Sequence, residues 1–273
     1  MKKALTFFLV IAMCILSVFM ASCSENGENE SSEISEESKG PTTMKLKVGS
    51  YNIANGREIN WDFKVLAKDI TDNGLDIVGI QEVDQFCNRS KNSDTLALLK
   101  EYTGMEYGAF FKCIDYDGGE YGTAILSKYP ILGTEELELN DGSQVERRLL
   151  TYAKIDVEGT VINFFNTHLT IHSDPIRALE FQLVKDRVKD EANCILVGDF
   201  NVDSYDEWEI LKPLSYINTP ETGYITHPEG DRQIDNICYS SEFRLVEGGH
   251  GIYQQYHSDH VLLYAEFEID KAE

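Results

Sequence analysis

The sequence predicts an α/β protein built as a mixed-sheet sandwich. Short apolar runs alternate with amphipathic stretches from Met44 onward, strands outnumber helices, and Glu158-Gly159 joins two apolar runs as a tight hairpin. A chain of 273 residues, 42% hydrophobic and 26% charged, can bury the core of one large domain. With no internal repeat and no second linker, residues 44–273 read as one domain.

The elements follow in order. Leu46 to Ile53 alternates like a strand, and Asp62 to Asn73, stopped by Gly74, has helical spacing. Leu75 to Ile80 is a buried strand, Asp94 to Tyr102 a helix ended by Gly104, and Tyr121 to Ser127 another strand. Leu149 to Val157 and Thr160 to Asn166 form the hairpin. Asp174-Pro175 opens the longest helix, with Ile176, Leu179, Leu183 and Val184 expected on its apolar face. A strand ending at Asp199, a short helical stretch around Trp208, and strands near 234–239, 243–247 and 260–269 complete the domain.

The N-terminus is different. Residues 1–22 have a basic start, an apolar stretch and small residues before Cys23, which reads as an export leader. Met20-Ala-Ser-Cys23 resembles a bacterial lipobox, so Cys23 is expected to carry the lipid that tethers the chain to a membrane of the cell envelope, outside the cytoplasm. An uncleaved apolar anchor would place the domain on the same side. Residues 23–43 hold six glutamates after the cysteine and no aromatic residue, the composition of an unfolded linker.

The formal charge of the chain is -23, and most of it belongs to the domain. Such a field repels polyanions unless cations intervene, which argues against tight, metal-free nucleic-acid binding and leaves nucleic acid only as a candidate substrate. The cysteines show no Cys-x-x-Cys pair, so a structural zinc site is not expected. Cys194 and Cys238 sit in apolar runs; export would permit a Cys87–Cys113 disulfide, whose geometry sequence alone leaves open.

The run Leu196-Val-Gly-Asp-Phe-Asn201 begins as a buried strand and ends in polar side chains. A polar group buried without partners costs a few kcal/mol, on the order of 1–3, so these must meet water, donors or a cation. The same pattern recurs at Ser50-Tyr-Asn52, Gln81-Glu82, Asn166-Thr-His168, Ile234-Asp235 and Ser258-Asp259-His260. Taken singly, Glu82 or Asp235 reads equally well as a surface carboxylate, His260 as a satisfied core histidine and Asn52 as an Asx turn. Together they place metal-binding and proton-handling groups where apolar runs meet loops, the usual location of sites in α/β proteins.

These motifs, with Tyr121-Gly-Thr-Ala-Ile-Leu-Ser-Lys-Tyr-Pro130, resemble the endonuclease/exonuclease/phosphatase superfamily, whose members include DNase I-like nucleases, abasic-site endonucleases, neutral sphingomyelinases and inositol polyphosphate phosphatases. The resemblance runs from residue 50 to 260 and implies a four-layer α/β/β/α sandwich of two mixed β-sheets flanked by helices. It further implies a divalent-metal-dependent phosphoesterase, acting on a phosphodiester or phosphomonoester by attack of activated water. Mg²⁺ suits that chemistry, with Mn²⁺ or Ca²⁺ as substitutes, because a hard cation neutralises the non-bridging oxygens.

The roles implied are these. Asn52, Glu82 and Asp259 would hold or assist the metal. Asp199 would take the proton of the attacking water, and Asn201 would hold water or phosphate. His260, oriented by Asp235, would contact the scissile phosphate, and His168 would be a candidate acid for the leaving oxygen. Arg148 is similar to a phosphate-contacting arginine, with Arg147 competing for the register. His172 and His257 are expected to line the site.

No apolar membrane-insertion hairpin and no basic DNA groove is evident. The basic loop Asn88-Arg-Ser-Lys91 and the acidic, aromatic segment Asp115 to Gly122 are expected to rim the pocket, a mixture suited to an inositol, sugar or nucleotide phosphate. The alternatives are an extracytoplasmic nuclease and, from another class, a catalytically silent surface binding protein. The domain is expected to be a monomer.

Overall fold

A computed structural model describes residues 42–171 and 174–272; the leader, Cys23, most of the acidic linker and His172 lie outside them. Its elements are β1 (Thr43–Asn52), α1 (Phe63–Asp72), β2 (Ile77–Gln85), α2 (Thr95–Thr103), β3 (Tyr107–Tyr116), β4 (Gly119–Ser127), β5 (Ile131–Glu138), β6 (Leu149–Val157) and β7 (Thr160–His168). They continue with α3 (Asp174–Val188), β8 (Cys194–Asp199), β9 (Ser215–Tyr216), β10 (Asp235–Tyr239), β11 (Arg244–Tyr253) and β12 (Leu262–Asp270). One six-stranded sheet has the order β11-β12-β1-β2-β4-β3, the other β5-β6-β7-β8-β10-β9.

Side chains alternate across each strand, so each sheet has two faces to cover. Leu46 and Val48 of β1, Ile77 of β2, Phe164 of β7, and Ile195 and Val197 of β8 meet in one buried cluster between the sheets. On the outer face of the first sheet, Val78 and Ile80 pack against Phe63, Leu66 and Ile70 of α1 and Leu96 and Leu99 of α2. Outside the second sheet, Leu196 packs with Phe181 and Val184 of α3, Phe200 and Trp208. Three apolar interfaces separate four layers, the expected α/β/β/α sandwich. Asp62 and Asp94 cap α1 and α2 by accepting hydrogen bonds from the backbone N–H groups of Lys64 and Ala97.

The sheets approach closely at Gly79. A Cβ there would stand 2.3 Å from Val197 Cγ2, so only glycine fits. Beside it a polar bridge crosses the gap: Gln81 Nε2 donates to Asn166 Oδ1 at 2.7 Å, and Asn166 Nδ2 donates to the carbonyls of Ile80 and Ala124.

Some expectations are corrected. Leu179 and Leu183 of α3 face solvent, Leu179 at 67% exposure, while Arg177 and Glu180 are buried with Phe181 and Val184. The inversion has a polar cause. Arg177 is held by Asp174, Asp203, Glu207 and the Thr170 carbonyl, and Glu180 accepts from the Thr170 backbone and hydroxyl and from Asn140. Cys87 and Cys113 are free buried thiols, as are Cys194 and Cys238. The segment Asp115 to Gly122 is mostly a hairpin, turning at Asp117 and Gly118 with φ of 45° and 84°, the pair of positive values that a tight hairpin turn requires.

Candidate active site

Pairing direction brings the polar strand ends together. β1 with β2, and β7 with β8, are parallel, so Asn52, Glu82, His168 and Asp199 all fall at or near C-terminal ends. β10 runs antiparallel to β8 and sets Asp235 opposite Asp199 in register. β12 runs antiparallel to β1, so His260, just before it, arrives at the same end. Strand parity then aims the side chains. Asn52 follows Leu46 and Val48 onto the face between the sheets, Asp199 follows Ile195 and Val197, and His168 follows Ile162 and Phe164.

Glu82 is the exception. By parity it would join Val78 and Ile80 under the helices, but a register shift between Ile80 and Val83 and a φ of 58° turn it to the site. A bulge with a left-handed non-glycine residue is a strained way to re-aim a side chain, and such strain gathers at functional positions. Asn201, at a φ of 49°, shows the same feature beside Asp199.

Asp199 is the hub. Its Oδ2 accepts from Asn52 Nδ2 at 3.0 Å, and the Nε2 atoms of His168 and His260 each stand 3.5 Å away. Its Oδ1 accepts the Asn201 backbone N–H at 3.0 Å. Asn52 Oδ1 accepts from Ala54 N–H, so the atom it turns inward is its amide nitrogen, which also donates to Glu82 at 3.2 Å. Asn201 Nδ2 donates to the Leu169 carbonyl, leaving Oδ1 to accept from water.

Electrostatics separates the groups. Burial lifts the Asp199 carboxyl to about 7; Asp235 adds to the rise and His260 opposes it. Burial works against charge on His260, yet Asp235 and Asp199 outweigh it and raise the imidazole to about 10. His168 goes the other way: burial, then Arg148 and His260, hold it well below the usual histidine range. At neutral pH one imidazole is charged and the other is not.

Arg148, rather than Arg147, is the buried arginine of the pair. Its Nη1 lies 2.8 Å from Glu146, and its Nε has no partner among the described residues. Arg147 turns away to Glu138 and the carbonyls of Lys112 and Cys113. Asp259 pairs with Arg57, and its Oδ1 accepts from the Ser258 hydroxyl. His257 binds Asp69 through Nδ1, and Asp69 also accepts from Tyr51. His227, for which the sequence shows no signal, sets its ring 5.0 Å from that of His260, edge to face.

The donor set fits a hard divalent cation. Glu82 supplies a half-buried carboxylate that accepts from the Asn52 amide, and Asp199 lies across that amide from it. Asp199, Asp235 and His260 also bring ligand atoms within 4.8 Å of one another. A protonated His260 is a poor ligand, however, because imidazole must be neutral to coordinate. Carboxylate oxygens at the Glu82 side are the better match.

A model of the Endonuclease/Exonuclease/phosphatase family matches residues 49–260, and the chain belongs to that family. Among similar solved structures is an endonuclease/exonuclease/phosphatase from Beutenbergia cavernae DSM 12333. Its TM-score is 0.69 at 19% identity, over 83% of this chain and 72% of that one. A mannosyl-6-phosphatase from Bacteroides thetaiotaomicron VPI-5482 has a TM-score of 0.63 at 21% identity, over 81% and 99% of the two chains. TDP2 from D. rerio, solved with a single-strand DNA product, has 0.62 at 17%, over 82% and 98%. These identities speak for the fold. No curated protein sequence matches the chain.

Proposed function

We propose that this protein is a divalent-metal-dependent phosphoesterase that hydrolyses a small polar phosphate ester by direct attack of water. The observation that carries the proposal is the position of Asp199, one buried carboxylate facing two histidines of opposite charge state and one amide step from Glu82. Membership of a family of phosphoester hydrolases supplies the reaction class.

Asp199 takes the proton of the attacking water as the water oxygen bonds to phosphorus; a carboxyl near 7 is suited to that task at neutral pH. Asn201 Oδ1 orients the water. Charged His260, held by Asp235, and Arg148, whose Nε has no partner among the described residues, receive the non-bridging oxygens. As the bond from phosphorus to the leaving oxygen breaks, His168 supplies the proton to that oxygen, the substrate's negative charge having raised its affinity for the proton. Glu82 would hold the cation, with Asp259 assisting by offsetting the positive charge of the nearby Arg57 guanidinium. When bound, Mg²⁺, or Mn²⁺ or Ca²⁺ in its place, neutralises charge on the phosphoryl group and makes bound water more acidic.

TDP2, solved with DNA, and the mannosyl-6-phosphatase mark two directions within the fold. The acidity of this chain favours the small substrate. We place the domain outside the cytoplasm as a monomer, tethered through lipid on Cys23. Loss of membrane association in Cys23→Ala tests the tether.

The purified chain should hydrolyse small phosphate esters with Mg²⁺ and lose turnover with chelator and in Asp199→Asn. A folded, Mg²⁺-binding protein without turnover on phosphomonoesters, phosphodiesters or DNA would instead support a binding role.

A further inference from the structure

Beside Glu82 lies a cavity of about 140 Å³ that the reaction scheme above does not use. Arg57, Arg89, Tyr116, Tyr121 and Glu146 line it with Glu82. Glu146 also grips Arg148, so the cavity is continuous with the groups assigned to the phosphate. Its volume is close to that of an engineered cavity of about 150 Å³ that accepts benzene, one six-membered ring.

The walls are built and held. Arg89 donates from Nε and Nη2 to the two oxygens of fully buried Asp84, and its guanidinium stands 4.2 Å from the Tyr116 ring centroid. Its loop is fastened to the β3–β4 turn: Asn88 and Arg89 backbone N–H groups donate to the carbonyl and carboxylate of Asp117. Tyr116 remains 42% exposed at the rim. Tyr121 is more than nine-tenths buried.

Charge decides what fits. Arg89 is neutralised by Asp84, and Arg57 by Glu58 and Asp259, so no lining arginine among the described residues is left for a second anionic group, and the cation on Glu82 is taken by the scissile phosphate. Glu82 is committed to the cation that meets the scissile phosphate and Glu146 adds an acceptor, while Arg57 and the Tyr121 hydroxyl can donate. Paired donors and acceptors around an aromatic wall match hydroxyl groups on a ring and repel another phosphate. We infer that this cavity is the leaving-group subsite and takes an uncharged, ring-sized polyol, a sugar or cyclitol carrying the scissile phosphate as its only charge. The inference rests on the phosphoesterase reading of the neighbouring site.

The test compares kcat/KM of the full chain with Mg²⁺ on a hexose 6-phosphate, the corresponding hexose 1,6-bisphosphate and glycerol phosphate. The hexose monophosphate should exceed each of the others by about tenfold or more. Tyr116→Ala should reduce the hexose-to-glycerol ratio about tenfold, with Tyr116→Phe restoring it, and Tyr121→Phe should reduce it in the same direction. A preference for the bisphosphate or for glycerol phosphate overturns the subsite while leaving the phosphoesterase standing. A ratio unmoved in folded Tyr116→Ala and Tyr121→Phe does the same. Absence of turnover on every ester removes the underlying reading and the subsite with it.

Discussion

His260 donates from Nδ1 to Asp235 Oδ2 at 2.8 Å, and the opposite nitrogen of the same ring stands 3.5 Å from Asp199. The imidazole is therefore clamped between two carboxylates and held charged. Asp235→Asn removes the nearer one while keeping the shape. We expect the His260 pKa to fall from about 10 toward 6.5 in an NMR titration and kcat to drop by about a hundredfold to ten-thousandfold. An unmoved pKa would show that Asp235 does not set the charge.

The same clamp links stability to pH. Native His260 keeps a proton that the unfolded chain releases near pH 6.5. Its contribution is fully present below that value and is lost as pH rises through about 10. In urea unfolding, His260→Gln should therefore be further below the parent at pH 6 than at pH 10. Equal gaps would mean a neutral imidazole in the folded state.

Glu82 is aimed by strain, and its carboxylate is the one the cation needs. Glu82→Gln keeps the bulge and the size but removes the charge. Mn²⁺ affinity, read from the paramagnetic resonance of the free ion, should weaken by at least about tenfold, by analogy with loss of groups that support a metal site. Unchanged affinity would move the cation to Asp199, Asp235 and His260.

Gly79 sets how closely the sheets approach. In Gly79→Ala the new Cβ would overlap Val197 and crowd Asn166, both buried. We expect a loss of about 1–3 kcal/mol in urea unfolding, the usual range for overpacking a core. A neutral substitution would show that the gap between the sheets can widen freely.

Much of this was legible in the chain. The alternation of Leu46, Val48 and Ser50 foretells a strand, and the polar ends at Asn52, Asp199 and His260 stand out because buried runs seldom finish that way. β3 and β5 were not legible, because both lie at sheet edges, where partial exposure weakens the alternating pattern. Helix α3 misled for a related reason. Leu179 and Leu183 look like core, but Arg177 and Glu180 have enough partners to go inside in their place.

By itself the sequence determined the fold class, the family resemblance and the residue types at the site, since these follow from local periodicity and short motifs. Only the tertiary structure decided which arginine of the pair is buried, that Glu82 leaves its strand's parity, and that Asp199 faces two histidines of opposite charge. It also decided that Arg89, Tyr116 and Tyr121 share a cavity with Glu82. The physical reason is common to all of these. Charge state and direction depend on burial and on neighbours from strands distant in sequence, and those neighbours meet only when the two sheets pack face to face.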